Sequence, residues 1–211
     1  TPQDIAAAVG MVPDEFAREV FCAVWWPDGA ALTRDKLMEF LRATLVSEFG
    51  RRARELTAAK LEHHIVECEI ASKRFPTSHD RSAKGSAETK LRKARGACWP
   101  WTPHIYARIC SAVIDERGRN ISCKSCNGRG FALAVEGSAA KECSVCGGTG
   151  NGATSKSDRA RALGISEGAY RNVWSEAYEW ALAFVSGMEE RAAKEIKKAL
   201  GGDDCDGRPA A

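Results

Sequence analysis

Apolar residues along most of this chain recur three and four positions apart, which is the spacing of helices that bury one face. Gln3 to Val9 predicts a short helix, and Phe16 to Trp26 a second one stopped by Pro27-Asp28-Gly29. Thr33 reads as an N-cap for a helix carrying Leu37, Phe40, Leu41, Leu45 and Phe49, with Gly50 ending it. Ala53 to Ser72 continues in the same manner, with Leu56, Leu61, Ile65, Val66 and Ile70 on or near one face. Thr102-Pro103 predicts a helix start, because proline at the first helical position gives up an N–H that would be unpaired there anyway. That helix would bury Ile105, Ile109 and Val113 and end at Gly118. Alternation suited to a strand shows best at Phe131 to Val135, as one arm of a small β-hairpin returning through Lys141. Ser157 to Leu200 is helical again, and Gly201 to Ala211 is expected to be a disordered tail.

Charge changes this picture in one place. Ser72 to Ala97 holds eight basic residues against two acidic ones and few large apolar side chains. The segment therefore predicts a mobile basic loop or linker. It is either a solvated connection or an arm that touches a polyanion, RNA or DNA. The expected organisation is a helical region over 1–71, a basic flexible segment over 72–101, a zinc-binding and helix-turn-helix domain over 102–200, and a tail over 201–211. Over the whole chain the net charge of +3 is too small to imply nucleic acid by itself. With 44% hydrophobic residues in 211, the chain can bury real cores. No apolar run approaches the ~20 residues of a membrane helix. Thr1 to Gly10 lacks the layout of a secretory signal, so an intracellular protein is expected.

Two copies of Cys-x-x-Cys-x-Gly-x-Gly carry the most specific chemistry. They are Cys123-Lys-Ser-Cys126-Asn-Gly128-Arg-Gly130 and Cys143-Ser-Val-Cys146-Gly-Gly148-Thr-Gly150, offset by twenty residues. Two close thiolate pairs are what a tetrahedral structural zinc needs, and glycines let the chain turn tightly around the sulfurs. Cys123, Cys126, Cys143 and Cys146 are thus expected to hold one Zn2+. Four protein ligands leave no position open for water or substrate, which speaks against a metalloenzyme. Disulfide pairing is the competing account, and the repeated glycines disfavour it. Cys22, Cys68, Cys98, Cys110 and Cys205 show no framework spacing and read as free thiols.

Directly after this block, Ser157 to Ser175 has the layout of a helix-turn-helix. Ala160 is small where two helices must approach, Leu163 closes the first helix, Gly164 takes the turn, and Ile165 plugs the core. Ser166 would cap a second helix packed inward through Tyr170, Val173 and Trp174. Glu167, Gly168, Arg171, Asn172 and Ser175 would then face outward. Arginine pairs with guanine and asparagine with adenine in the major groove, so Arg171 and Asn172 are the candidate base readers. Ser166, Arg159 and Arg161 are the candidate phosphate contacts. An ordinary helical hairpin obeys the same packing rules. Glu176 to Leu200 reads as an amphipathic helix with late lysines that complement its C-terminus.

No nucleophile with a base, phosphate-cradling loop or paired-carboxylate site stands out, so no enzyme is expected. His63 and His64 sit in a helical segment without a recognisable partner and read as ordinary surface or core residues. Trp25-Trp26 and the Trp99, Trp101 pair read as packing residues.

Several separated stretches together resemble the Q antitermination proteins of lambdoid phages, of the lambda type. Asp4-Ile-Ala-Ala-Ala-Val-Gly10-Met11 resembles that family's Asp-Val-Met-Ala-Ala-x-Gly-Met, and Phe21-Cys22 its following aromatic segment. Tyr106-Ala-Arg-Ile-Cys110 leads into the first cysteine pair, Lys141-Glu142-Cys143 opens the second, and Arg159-Ala160 to Leu163 with Trp174-Ser175 resembles the family's helix-turn-helix. The resemblance is weakest from Trp26 to Trp101. It implies a factor in the bacterial host cytoplasm that binds DNA at the phage late promoter and engages paused RNA polymerase and its sigma factor. Such a factor stays with the enzyme and suppresses pausing and termination near the RNA exit channel, where nascent RNA is a candidate contact. Two other readings remain. One is a DNA-binding repressor. The other is a co-chaperone of the DnaJ kind, whose cysteine-rich domain repeats the same motif four times and accompanies a His-Pro-Asp signature missing from this chain.

Overall fold

A computed structural model describes residues 2–25, 30–118, 123, 125–131, 141–146, 148, 150, 152 and 154–201. The fold is mainly helical: α1 (Pro2–Gly10), α2 (Glu15–Trp25), α3 (Ala30–Ala71), α4 (Ser78–Ala97), α5 (Pro103–Gly118), α6 (Lys156–Leu163), α7 (Glu167–Ala169) and α8 (Ser175–Ala199). A π-helical turn, Tyr170–Trp174, joins α7 to α8. Among the described residues no strand forms. Of the expected hairpin, the described residues show one antiparallel bridge, between Phe131 and Glu142. Residues 132–140, which would supply its arms, lie outside the described residues, as does the tail beyond Gly201. Likewise among the described residues, no helix is long and apolar enough to cross a membrane.

The chain forms two compact units, residues 1–41 with 107–211, and residues 42–106. These limits do not follow the expected divisions at 71 and 101, because α3 and α5 are unbroken helices that contribute residues to both units. In the first unit, α8 packs against α1 and α2. Phe16 stacks on Phe40 at 4.1 Å between ring centroids and on Phe184 at 5.8 Å. Ala17, Val20, Leu37, Leu41, Ile109, Val113, Ala177, Tyr178, Ala181 and Val185 complete a buried core. The polar rim includes Arg34 with Asp115 at 2.7 Å and Arg117 with Glu189.

The second unit corrects two expectations. Gly50 does not end a helix, since α3 runs from Ala30 to Ala71 straight through it, so Thr33 is an internal residue and not a cap. A β-carbon at Gly50 would meet only the Arg54 side chain at 3.5 Å, so no turn requires glycine there. A single internal glycine costs about 1 kcal/mol, which the long flanking helix absorbs. The expected mobile basic loop is instead mostly α4. Thr77 and Asp80 start it with reciprocal caps: the Thr77 hydroxyl accepts from the Asp80 amide at 3.2 Å, and the Asp80 carboxylate accepts from the Thr77 amide at 2.8 Å. Such a cap stabilises a helix by about 1 kcal/mol. Lys73 approaches the same carboxylate at 2.5 Å and, with the Thr77 amide and hydroxyl, holds Asp80 well below the usual carboxylate range.

α4 runs antiparallel to the distal part of α3. Arg52 donates to the Ala97 carbonyl at 2.7 Å, Lys90 meets Glu62 at 2.6 Å, and Lys84 reaches Glu67 at 4.0 Å, so the pairing order runs oppositely on the two helices. Ala87 and Leu91 supply the apolar contact, and Arg52 lies over the buried Trp99 ring at 4.1 Å. Trp99 is therefore a core residue as expected, whereas Trp25 and Trp101 are more than half exposed and Trp26 lies outside the described residues. The apolar face expected on distal α3 is also only partly covered, since Leu61 and Ile65 are exposed.

Candidate metal centre and nucleic-acid interface

The two cysteine knuckles interlock through their backbones. The Cys123 amide donates to the Gly150 carbonyl at 2.7 Å, and the Cys143 amide donates to the Gly130 carbonyl at 2.8 Å. Each knuckle thus binds the other at its first cysteine and last glycine. The same glycines approach too closely for side chains. A β-carbon on Gly130 would lie 2.3 Å from the Gly148 carbonyl oxygen, and one on Gly150 would lie 2.4 Å from that of Gly128. Both positions also have positive φ, +77° and +73°, where glycine alone is unstrained.

This crossing brings the four sulfurs of Cys123, Cys126, Cys143 and Cys146 within 4.8 Å of one another. Cys123 and Cys143 are 4.0 Å apart, and Cys126 and Cys146 are 3.7 Å apart. A disulfide would need about 2.05 Å. A tetrahedron of Zn–S bonds of ~2.3 Å has edges of about 3.8 Å, so the set fits a thiolate-bound metal such as zinc. Cys123, Cys126 and Cys143 are buried and Cys146 is half-buried. The Gly130 amide donates to Cys126 and the Gly150 amide to Cys146, each at 3.3 Å, as suits sulfurs that carry charge. Amides of Cys146 and Val145 draw the Cys143 thiol down to about 6, whereas burial pushes Cys126 up to about 11. A bound divalent cation would ionise all four.

In the segment expected to be a helix-turn-helix, Ser155 caps α6 and the Asp158 amide donates to its hydroxyl at 3.1 Å. Gly164 ends α6 at φ +65°, as its place in the turn predicts. Arg108 donates to the Leu163 carbonyl at 2.7 Å, and a β-carbon on Gly164 would sit 2.3 Å from that guanidinium. Ala160, Leu163, Tyr170 and Trp174 are buried, whereas Ile165 is only half-buried. Ser166 caps α7, accepting from the Ala169 amide at 3.2 Å.

Of the phosphate candidates, Arg159 is spent inside the fold. It donates to both carboxylate oxygens of Glu116, at 3.0 and 2.6 Å, and also pairs with Glu179. Tyr178 donates to the same Glu116 at 2.8 Å, and Arg159 lies 5.0 Å from the Tyr178 ring centroid. With 11% of its side chain exposed, Arg159 ties α6 to α5 and α8 and offers no charge to a ligand. Local spacing makes it look like an exposed helix arginine. The deciding partner, Glu116, is 43 residues away. Arg161 is 76% exposed and pairs with Asp158 at 2.8 Å.

The second helix differs from the expected one in its turn. The Ser175 amide donates to the Tyr170 carbonyl, five residues back, which widens the turn. Inward packing therefore falls on Tyr170 and Trp174, and Val173 is 45% exposed instead of buried. Arg171, Asn172 and Val173 form three consecutive exposed residues between those two anchors. Glu167 is exposed and pairs with Arg171 at 2.6 Å, and Ser175, half-buried, donates to the Arg171 carbonyl at 3.0 Å. Arg171 and Asn172, the expected base readers, both lie on the surface. Beside them Val173, which periodicity assigns to the core, is an exposed apolar residue.

Compared with known families, curated proteins and solved structures, the chain matches no family model, no curated protein and no solved structure.

Proposed function

We propose that this chain is a DNA-binding transcription factor that acts as a phage late-gene antiterminator, binding promoter DNA and then engaging paused RNA polymerase. The observation that carries DNA binding is the turn of Arg171, Asn172 and Val173, exposed between two buried aromatic anchors behind the Ser166 cap. A hydrogen-bonding fork, an amide and an aliphatic tip on one surface are the side chains that read guanine, adenine and the thymine methyl. One Zn2+ on Cys123, Cys126, Cys143 and Cys146 is structural, holding the two knuckles as a rigid element. Cys146 is the least covered of the four, and four thiolates leave the metal no open position for catalysis. The polymerase step rests on the resemblance to the lambda-type antiterminators. Its chemistry is binding and remodelling, in the bacterial cytoplasm, with no covalent step.

The test is transcription in vitro by the host polymerase from a phage late promoter with a terminator downstream. Readthrough that requires both the promoter segment and intact Asn172 is expected, and Cys146→Ser should abolish it by unfolding the knuckles. Promoter binding with reduced initiation and no readthrough would replace antitermination by repression. Absence of sequence-specific binding by zinc-loaded protein would remove both.

A further inference from the structure

Charge is segregated between the two compact units. Residues 42–106 hold 13 basic and 7 acidic residues, a net +6, while the rest of the chain carries a net −3. On α4 the cations divide into two sets. Lys84 and Lys90 are bound to Glu67 and Glu62 and serve the antiparallel pairing of α3 with α4. Arg81, Arg92, Lys93 and Arg95 are exposed, and among the described residues no carboxylate lies within ion-pairing distance of them.

Three of these four share a stripe. Positions 92 and 95 follow 81 by eleven and fourteen residues, about three and four turns, so the arginines align over ~21 Å of one helix face. The stripe lies beside the edge that packs through Ala87 and Leu91. Between the cations α4 exposes the small residues Ser82, Gly85, Ser86 and Thr89, with Gly96 beyond them, and one acid, Glu88, which Lys84 approaches at 3.9 Å. A β-carbon at Gly85 or Gly96 would meet nothing within 4 Å, so internal packing explains neither glycine. Long cationic side chains rising beside a low polar surface suit a linear polyanion, which can lie close to the helix while guanidinium groups reach its oxygens.

We propose that this face of α4 binds the phosphodiester backbone of nucleic acid without reading its sequence, through Arg81, Arg92 and Arg95 with Lys93 beside them. This function is separate from base reading by the helix-turn-helix, and it stands whether or not that reading holds. Affinity comes from displaced counterions, so it falls steeply with salt.

The experiment uses the full chain loaded with zinc and compares it with the triple variant Arg81→Gln, Arg92→Gln, Arg95→Gln. Fluorescence anisotropy would follow binding to a labelled single-stranded RNA and to a random duplex DNA of equal length, across a salt series. Losing three phosphate contacts should reduce the slope of log affinity against log salt by about 2 on single strands and close to 3 on duplex, and weaken binding about a hundredfold or more at 0.1 M salt. A loss confined to RNA identifies the transcript as the source of the backbone. A loss confined to duplex identifies DNA, and loss on both a general backbone surface. Unchanged affinity and slope on both nucleic acids, in a variant with an unchanged melting temperature, would overturn the proposal. The double variant Arg171→Ala, Asn172→Ala should retain the salt slope on random sequences. If it abolishes that slope while the α4 variant does not, the backbone contact belongs to the helix-turn-helix and the proposal fails.

Discussion

Gly130 and Gly148 make a matched pair of substitutions, because both have positive φ but only one is crowded by backbone. Alanine at either position incurs the left-handed cost of ~1–2 kcal/mol. At Gly148, φ +83°, the new β-carbon meets only the Glu142 side chain at 3.6 Å, an ordinary contact. At Gly130, φ +77°, it would lie 2.3 Å from the Gly148 carbonyl oxygen, which cannot rotate away. The knuckles must part to relieve the overlap. Parting strains the two bonds between the knuckles, from the Cys143 amide to the Gly130 carbonyl, 2.8 Å, and from the Cys123 amide to the Gly150 carbonyl, 2.7 Å. Each contributes about 1 kcal/mol. Gly130→Ala should therefore cost about 3–4 kcal/mol in all, against about 1–2 for Gly148→Ala. At 1.4 kcal/mol per factor of ten, zinc affinity should fall about tenfold in Gly148→Ala and some hundreds-fold in Gly130→Ala. Competition with a chromophoric chelator at fixed pH measures both. Equal losses would refute the argument, because they would show that the close carbonyl approach contributes nothing to the metal site.

Arg159→Ala leaves Glu116, its side chain only 12% exposed, without its cation and should destabilise the protein by about 3 kcal/mol, whereas Arg161→Ala, at an exposed pair, should cost under about 0.5; urea unfolding of both variants checks the contrast. Arg51, then Arg52, holds Glu48 down to about 2 from an ordinary 4.5. A depressed carboxylate adds stability that is complete above its unfolded pKa and lost as pH falls through its folded one. Melting temperature should thus drop between about pH 5 and pH 2, and Glu48→Gln should flatten that part of the profile; an unchanged profile would show that Glu48 does not couple to folding. If Val173 covers a thymine methyl, replacing target thymines by deoxyuridine should weaken binding about fourfold for each methyl lost. Val173→Ala should be insensitive to the same replacement, and a variant that still discriminates would assign the methyl contact elsewhere.

The elements legible in the sequence are those whose limits are set by neighbours in the chain. Pro103 and Gly118 bound α5 as expected, and Ser166 and Gly164 sit at cap and turn. The cysteine spacing likewise located all four sulfurs of the cluster. What the sequence hid depends on distant partners or on a change of helical pitch. α4 looks like a linker because it has only two buried apolar residues. Its start signal, Thr77 with Asp80, is nevertheless local and could have been found. Its pairing with α3 rests on residues such as Glu62 and Lys90, 28 apart. Val173 was misplaced because a uniform 3.6-residue period cannot anticipate a single π turn. Trp174, one position later, takes the buried site instead.

The distribution of ion pairs bears on how the proposed reading head could act at all. Arg159 is committed to Glu116 and Glu179, Arg161 is paired with Asp158, and Arg171 with Glu167. Each exposed guanidinium of the helix-turn-helix is thus balanced by a carboxylate three or four residues before it, in a part of the chain that is net negative. Such a surface can discriminate bases at about 1–3 kcal/mol for each good contact, but it draws little from counterion release. Arg171 must also leave Glu167 before it can pair with guanine, which makes Glu167→Gln a gain in general DNA affinity and a loss in selectivity. Salt-dependent affinity therefore has to come from a source with unbalanced charge, and α4 aligns three arginines that, among the described residues, have no carboxylate within ion-pairing distance. On this division of labour the triple α4 variant loses affinity for every sequence in equal proportion. Asn172→Ala, in contrast, loses it only for the target. Were both variants to reduce specific and random binding alike, the two surfaces would form one undivided contact and the separation argued from their ion pairs would be wrong.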